Sequence, residues 1–300
     1  MAIGSDQAID SPDVLLTGAS GQIGVFAIPR LLAAGFRVVA VSRRRRPALY
    51  DGNEQVEWLN QDQATEVAQR CRFLLSAGPL ELAKKFLLAG ETFERAVVFS
   101  SSSVETKQAS GHPAERRQVE DMLSLESELS TVAEGRGLKL VIFRPTLIYG
   151  CGMDTNISRL ASWIKRFGFM PVNGAATGLR QPVHADDLAA AAVTALQSRA
   201  DLPRVLNLCG GDTLTYTDMV GRIFSALGKP VRLLHLPQWL FVLVVNITKV
   251  IRPGTGVNSE MVRRQRLDLV FDDRQARGLL DYKPRQFQPV AGDFLLPDVN

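Results

Sequence analysis

The sequence predicts an α/β fold: a doubly wound parallel sheet with helices on both faces and a smaller, mixed C-terminal lobe. Three observations point there. Short apolar runs alternate with stretches of helical spacing along the first half of the chain. A glycine cluster (Gly18, Gly21, Gly24) joins the first such run to the first helical stretch. After Tyr149 the alternation breaks down, and Pro, Gly and Asn become frequent up to Gly178.

Val14 to Thr17 is a short apolar run ending in the glycine cluster, as expected of a central parallel strand. Ile23 to Ala34 carries helical spacing and stops at Gly35, with Pro29 inside it as a potential bend. Arg37 to Val41 reads as the next strand, Phe73 to Ser76 as another, and Leu80 to Ala89 as a helix closed by Gly90. Ala96 to Phe99 is a strand, Ala114 to Glu134 a long polar helix, and Leu138 to Phe143 a strand. Beyond the irregular stretch, Asp186 to Gln197 is Ala-rich and helical, Val205 to Leu208 returns as a strand, and Thr217 to Leu227 is a helix capped by Thr215 or Thr217. No fixed-period repeat is present.

Composition removes several alternatives. The 300 residues are 46% hydrophobic and 22% charged, ordinary for a globular protein. A net charge of +4 with 7% aromatics gives no case for nucleic-acid binding. Cys71, Cys151 and Cys209 are widely spaced, without a CxxC pair, which predicts reduced thiols in a cytoplasmic protein and no metal site. Residues 1–12 are short, polar and acidic, unlike a secretory leader, and read as a flexible tail. The apolar run 236–248 falls short of the about 20 residues that span a bilayer. It reads as a lobe-packing helix, with a peripheral membrane contact through Trp239, Lys249 and Arg252 as the alternative.

The glycine loop carries the main chemical signal. It follows a strand, opens a helix and begins the first βαβ unit, the context that a dinucleotide site requires. Gly18 allows the tight turn, Gly21 the approach of backbone to a pyrophosphate, and Gly24 the close contact of helix and strand. The unpaired N–H groups at the helix start, around Ser20, Gln22 and Ile23, suit phosphate oxygens. An NAD-selective site places a carboxylate at the end of the second strand, for the ribose 2′-hydroxyl. This chain has Ser42, Arg43 and Arg44 there, a hydroxyl and guanidinium groups that welcome a 2′-phosphate. NADP is therefore expected over NAD, with Arg45 and Arg46 as a solvated surface run.

The GxxGxxG spacing after Thr17 resembles the extended branch of the short-chain dehydrogenase/reductase superfamily, the NAD(P)-dependent epimerase/dehydratase group, with its Rossmann-like core. Other segments are similar to that family's motifs. They are Asp62, near the adenine amino group; the turn Ser76-Ala77-Gly78-Pro79; Arg144-Pro-Thr-Leu-Ile-Tyr-Gly150; Arg180-Gln-Pro-Val-His-Ala-Asp-Asp-Leu188; and Leu279-Leu-Asp-Tyr-Lys-Pro-Arg285. The resemblance runs from about Asp13 to Phe287. It implies a cofactor core over 13–150 completed by about 183–211, and a substrate-binding lobe from 151–182 and 212–300. It also implies a nucleotide-sugar-like or other hydroxyl- or carbonyl-bearing substrate. In UDP-sugar epimerases the residue matching Arg180 grips the diphosphate; a salt bridge to Asp186 or Asp187 is its structural alternative. His184 is expected to pack the segment that leads into the next helix, and Asp187 to sit at that helix's start. Related proteins dimerise through long flanking helices, here the one around Glu115 to Glu128.

The family's chemistry relies on a Tyr-x-x-x-Lys pair on one helix face together with a Ser or Thr. Ser102 or Ser101 holds the serine position, or else belongs to a solvated cluster that ends a strand. No tyrosine lies between Tyr50 and Tyr149, and the helix Glu115 to Glu128 has no lysine; the nearest upstream is Lys107. Counted back from Arg144, the tyrosine position falls near Glu120 to Met122. Three readings stay open: an enzyme whose acid–base groups are displaced to Tyr149, Glu105 or His112; a catalytically silent cofactor-binding sensor, assembly factor or scaffold; and a non-redox reaction assisted by the cofactor.

Overall fold

The computed structural model describes residues 12–237, 239–240 and 263–296. The expected tail over 1–12 lies almost wholly outside them, as does most of the apolar run 236–248. No described helix is long and apolar enough to cross a membrane.

The first half alternates as the hydrophobic pattern requires. In chain order it runs β1 (Val14–Thr17), α1 (Gly24–Ala33), β2 (Val38–Val41), β3 (Val56–Leu59), α2 (Gln61–Val67), β4 (Phe73–Ser76), α3 (Leu80–Ala89), β5 (Arg95–Phe99), the short α4 (Ser103–Thr106), α5 (Pro113–Gly135) and β6 (Lys139–Pro145). Then follow β7 (Ile148–Tyr149), α6 (Ile157–Phe167), β8 (Met170–Asn173), β9 (Leu179–Arg180), β10 (Val183–His184), α7 (Ala185–Gln197), β11 (Val205–Leu208), β12 (Leu214–Thr215), α8 (Tyr216–Ala226), β13 (Leu233–Leu236) and α9 (Arg274–Leu280).

Seven strands form one sheet in the order β11-β6-β5-β4-β1-β2-β3, and every pairing in it is parallel. Side-chain alternation divides its two faces. Leu16, Ala40, Leu75, Val97 and Val141 pack under α1 and α7, while Leu15, Val39, Leu74, Val98 and Ile142 pack under α3 and α5. Both faces are covered, so the strand interiors are predominantly apolar.

Most element boundaries match the sequence pattern to within two residues. Thr215, one of the two expected caps, accepts the Asp218 N–H at 3.1 Å. Pro29 is accommodated on the exposed side of α1, where water can satisfy the carbonyl that loses its donor. The strand β3 was not anticipated. It is a sheet edge carrying Glu57 in four residues, too short and too mixed for an apolar run.

A second core unites Tyr149, Ile157, Ile164, Met170, Val172, Val220, Phe224 and Phe287 from α6, α8 and the short strand pairs. This lobe is tied to the sheet by charge. Asp186 at the start of α7 binds Arg30 of α1 at 2.6 Å and Arg285 at 2.7 Å, and Asp187 binds Arg285 at 2.8 Å. Burial alone would raise the Asp186 pKa, but the bonds from Arg30 and Arg285 outweigh it and hold the carboxylate below its ordinary range. The Tyr282 hydroxyl donates to the Cys209 carbonyl at 2.7 Å, anchoring the same C-terminal segment.

Candidate functional site

The winding of the sheet reverses between β1 and β4: the chain steps from β1 to β2 and β3, then returns to β4 on the other side of β1. A crevice opens outside the carboxyl ends of strands at such a point, where ligands bind in open α/β sheets. Two glycine-bearing loops meet there. Gly18 has φ +70°, and a Cβ on it would lie 2.7 Å from the backbone of Ala77 in the loop after β4. A Cβ on Gly24 would stand 2.3 Å from the Gly18 carbonyl oxygen. Only bare backbone fits at either position. The helix α1 begins without a side-chain cap or an acidic residue in its first turn. The N–H groups of Gln22 and Ile23 have no acceptor among the described residues, so they are free for a ligand anion.

Of the other residues expected at a cofactor, Ser20, Ser42, Ala77, Gly78 and Pro79 stand beside this loop. The hydroxyls of Ser20 and Ser42 are 2.6 Å apart, and the Ala19 N–H donates to the Val41 carbonyl at 3.3 Å, so the loop and the end of β2 form one wall. Ala77, Gly78 and Pro79 form the opposite wall, pinned by the Ala77 N–H to the Thr17 carbonyl at 3.1 Å and by Thr17 and Ser76 hydroxyls at 2.8 Å. Asp62 stands in the first turn of α2 with its carboxylate in solvent, 3.4 Å from Lys85. The arginine run departs from expectation at Arg43, Arg44 and Arg46. Arg43, Arg44 and Arg45 are exposed, and their guanidinium groups make no hydrogen bond or ion pair among the described residues. Arg46 turns back to the Tyr50 and Asn53 carbonyls.

A cavity of about 500 Å³ adjoins the loop at Gln22. Ser101, Ser102 and Ser103 form one wall, where the Ser101 hydroxyl donates to that of Ser103 at 2.9 Å and Ser102 is almost fully buried. The helix α5 presents Gln118 and Met122 to the cavity, four residues apart and therefore one helical turn from each other on one face. Lys107 reaches the cavity from the end of α4. Arg180 closes the far side, but its guanidinium donates to the carbonyls of Leu179, Arg264 and Leu267 at 2.6, 2.6 and 2.8 Å and lies over the Tyr216 ring. Burial lowers its pKa to about 10. It makes no salt bridge to Asp186 or Asp187, whose partners are Arg30 and Arg285.

Below the serines lies a charged cluster in which Glu126, not singled out from the sequence, joins Arg144 and Glu105. Glu126 of α5, only 5% exposed, binds the Arg144 guanidinium through both oxygens and accepts the Ser100 hydroxyl. Glu105 adds a 3.3 Å contact to Arg144 from the solvent side. Burial would lower the Arg144 pKa, and these carboxylates more than offset it. The available signal was Arg144 itself, since an arginine at the end of a central strand demands a buried acid. Tyr149 is turned away from the cavity, 2% exposed, with its ring packed edge-on against His184 and Phe287. Burial raises its pKa above the ordinary phenol range. His184 accepts the Asp186 N–H on Nδ1 at 3.1 Å, and His112 is exposed at the start of α5 outside the cavity. Among the described residues no cluster of His, Cys, Asp or Glu could hold a metal.

The family model for the NAD-dependent epimerase/dehydratase family matches residues 14–116 and 121–209. The chain belongs to that family. It is 24% identical over 248 residues to UDP-glucose 4-epimerase of Vibrio cholerae, spanning 78% of this chain and 73% of that protein. Its fold is similar to UDP-glucuronic acid 4-epimerase from Bacillus cereus solved with UDP-glucuronic acid and NAD, with TM-score 0.70, 16% identity, and 94% and 98% of the two chains covered. It is likewise similar to the UDP-glucose 4-epimerase of Thermus thermophilus in complex with NAD, with TM-score 0.67, 18% identity, and 94% and 97% covered.

These findings overturn the expectation of NADP. The family is NAD-dependent, and both of these solved relatives hold NAD. The physical reason lies in the arginine run. A 2′-phosphate site needs a guanidinium held in place, and Arg43 and Arg44 are exposed with no described residue bonded to their guanidinium groups.

Proposed function

We propose that this member of the epimerase/dehydratase family binds NAD across the crevice and a nucleotide sugar in the adjoining cavity, and carries out epimerase- or dehydratase-type chemistry there. The observation that carries the reading is that Gln22 belongs to both sites: it lies in the glycine loop and lines the cavity. A dinucleotide laid on the loop therefore points its nicotinamide end at the serine wall. The N–H groups of the Gly18 to Gly24 loop hold the pyrophosphate, and the Ser20 and Ser42 hydroxyls serve the ribose. Asp62 sits toward the adenine, and Ala77, Gly78 and Pro79 let the cofactor lie close to backbone. Ser101 and Ser102 orient a substrate oxygen, and Arg180 shapes the cavity's far wall while its charge favours a diphosphate. Bound NAD supplies a hydride acceptor.

A second reading, a catalytically silent NAD-binding protein, is favoured by one specific observation. The helix face that would carry a Tyr-x-x-x-Lys pair presents Gln118 and Met122 to the cavity, and neither side chain exchanges protons. One experiment separates the two. NADH fluorescence titration establishes cofactor binding. Stopped-flow absorbance then follows nicotinamide reduction in the NAD-loaded protein on mixing with UDP-glucose, UDP-glucuronic acid or UDP-N-acetylglucosamine. Reduction with any of them supports the enzyme; NADH binding without reduction by any sugar supports the silent reading.

A further inference from the structure

We infer that Lys107 is the group that exchanges a proton with the substrate hydroxyl in this cavity, an inference that rests on the enzymatic reading above. The inference comes from elimination among the residues that line the cavity. Among the described residues its ionisable side chains are Lys107, Asp154, Arg180 and Arg264. The two arginines do not give up protons near neutral pH. Asp154 is consumed in starting α6, where it accepts the N–H groups of Asn156 and Ser158 at 3.0 Å and the Ser158 hydroxyl. Gln118 and Met122 cannot titrate. Lys107 remains, on the same wall as Ser101 and Ser102.

Its surroundings suit that work. The ammonium has no hydrogen-bonded or ion-paired partner among the described residues. Glu115, the carboxylate that acts on it, is already held by Arg264 and by the Ser110 hydroxyl. The charged groups that act on Lys107 are Arg264 from the segment before α9 and Glu115 from α5; Glu105, on its own helix, is turned to Arg144. Burial and then the like charge of Arg264 lower its pKa, outweighing Glu115. A half-buried amine near a second cation is how lysine becomes a usable base.

The step balances. The substrate C–H bond breaks and its electron pair leaves as hydride to the oxidised nicotinamide, while the hydroxyl proton moves to the neutral Lys107 amine. A carbonyl, a reduced cofactor and an ammonium result. In the return direction the ammonium gives its proton to the carbonyl oxygen as the hydride comes back.

The test compares wild type, Lys107→Met and Lys107→Arg by stopped-flow reduction of bound NAD across pH, with NADH affinity as the check on folding. Reduction in the wild type should rise with pH to a plateau, with a midpoint below that of an ordinary lysine. Both variants should bind NADH normally, lose roughly 10²–10⁴-fold in reduction rate and lose that pH limb. Arginine keeps the charge but cannot release the proton, so its failure to rescue excludes a purely electrostatic role. Independently of turnover, competitive acetylation read by peptide mass spectrometry should find Lys107 reacting at lower pH than the exposed Lys139 and Lys283. Wild-type reduction that survives in Lys107→Met, or rescue by Lys107→Arg, or an ordinary acetylation profile, overturns the role of Lys107 alone. A wild type that oxidises no sugar sinks the enzymatic reading and this inference with it.

Discussion

Both oxygens of the Glu126 carboxylate bond the Arg144 guanidinium, joining the long helix α5 to the end of β6 directly beneath the serine wall. The pair fixes the height of α5 over the sheet, and so where Gln118 and Met122 meet the cavity two and one turns earlier. Glu126→Ala leaves a largely buried guanidinium with only the solvent-side Glu105. It should cost about 3–5 kcal/mol in urea unfolding. The double variant Glu126→Leu with Arg144→Met should recover most of that loss, because no unpaired charge is left behind.

The crevice walls make a sharper prediction for cofactor binding. Gly18→Ala places a methyl 2.7 Å from the Ala77 backbone at a φ of +70°. About 1–3 kcal/mol of strain follows, and NADH fluorescence titration should show affinity falling at least tenfold. Arg43→Ala, by contrast, should leave NADH affinity within about twofold, since its guanidinium is exposed and bonds no described residue. A tenfold loss in that variant would mean that the arginine run reaches the cofactor after all.

Tyr149 distinguishes packing from chemistry. Its phenol faces His184 and Phe287 in the lobe core and makes no hydrogen bond among the described residues. Tyr149→Phe should therefore leave hydride transfer unchanged and shift the unfolding midpoint little. Tyr149→Ala should cost about 3–5 kcal/mol through the cavity it leaves.

The Asp186 clasp predicts a pH dependence. Its folded-state pKa lies below the unfolded value, so its contribution is complete above the unfolded carboxylate range and is lost as pH falls through the lower folded value. Asp186→Asn should flatten the acid limb of a stability-against-pH curve by about 1 kcal/mol, the partly exposed arginines limiting the gain. An acid limb with unchanged slope would show the clasp to be energetically idle.

Thiol reactivity offers a last check. Burial pushes the Cys71 and Cys209 thiols up to about 12, and Cys151 is raised too. The folded protein should be nearly inert to a disulfide reagent at mildly alkaline pH and react fully once unfolded. Rapid labelling of the native protein would contradict the packing around all three.

Much of this architecture was legible in the sequence because it follows from periodicity. Runs such as Val14 to Leu16 and Phe73 to Leu75 carry nothing but strand-compatible apolar side chains, and Gly18 and Gly24 stand where no side chain fits. Edge position hid β3, where Glu57 interrupts the pattern. The site was read less completely, because spacing along a chain does not say which way a helix face points. Counting back from Arg144 put the tyrosine position at Glu120 to Met122, whereas the pair facing the cavity is Gln118 and Met122. The arginines after Val41 invited an electrostatic reading that only their orientation could refute. Glu126 and Lys107 matter through partners distant in sequence, Arg144 for one and Arg264 for the other.

The contact of α1 with α7 has a consequence for biosynthesis. The apolar underside of β1 and α1, made early, is capped by α7, whose Asp186 must reach Arg30 from 156 residues away. At roughly 5–20 residues per second of elongation, that surface waits on the order of ten to thirty seconds for its cover. Throughout that interval the nascent chain carries a finished glycine loop on an unfinished core. Leu31, Val14 and Leu16 find their full cover only when the second half of the polypeptide emerges.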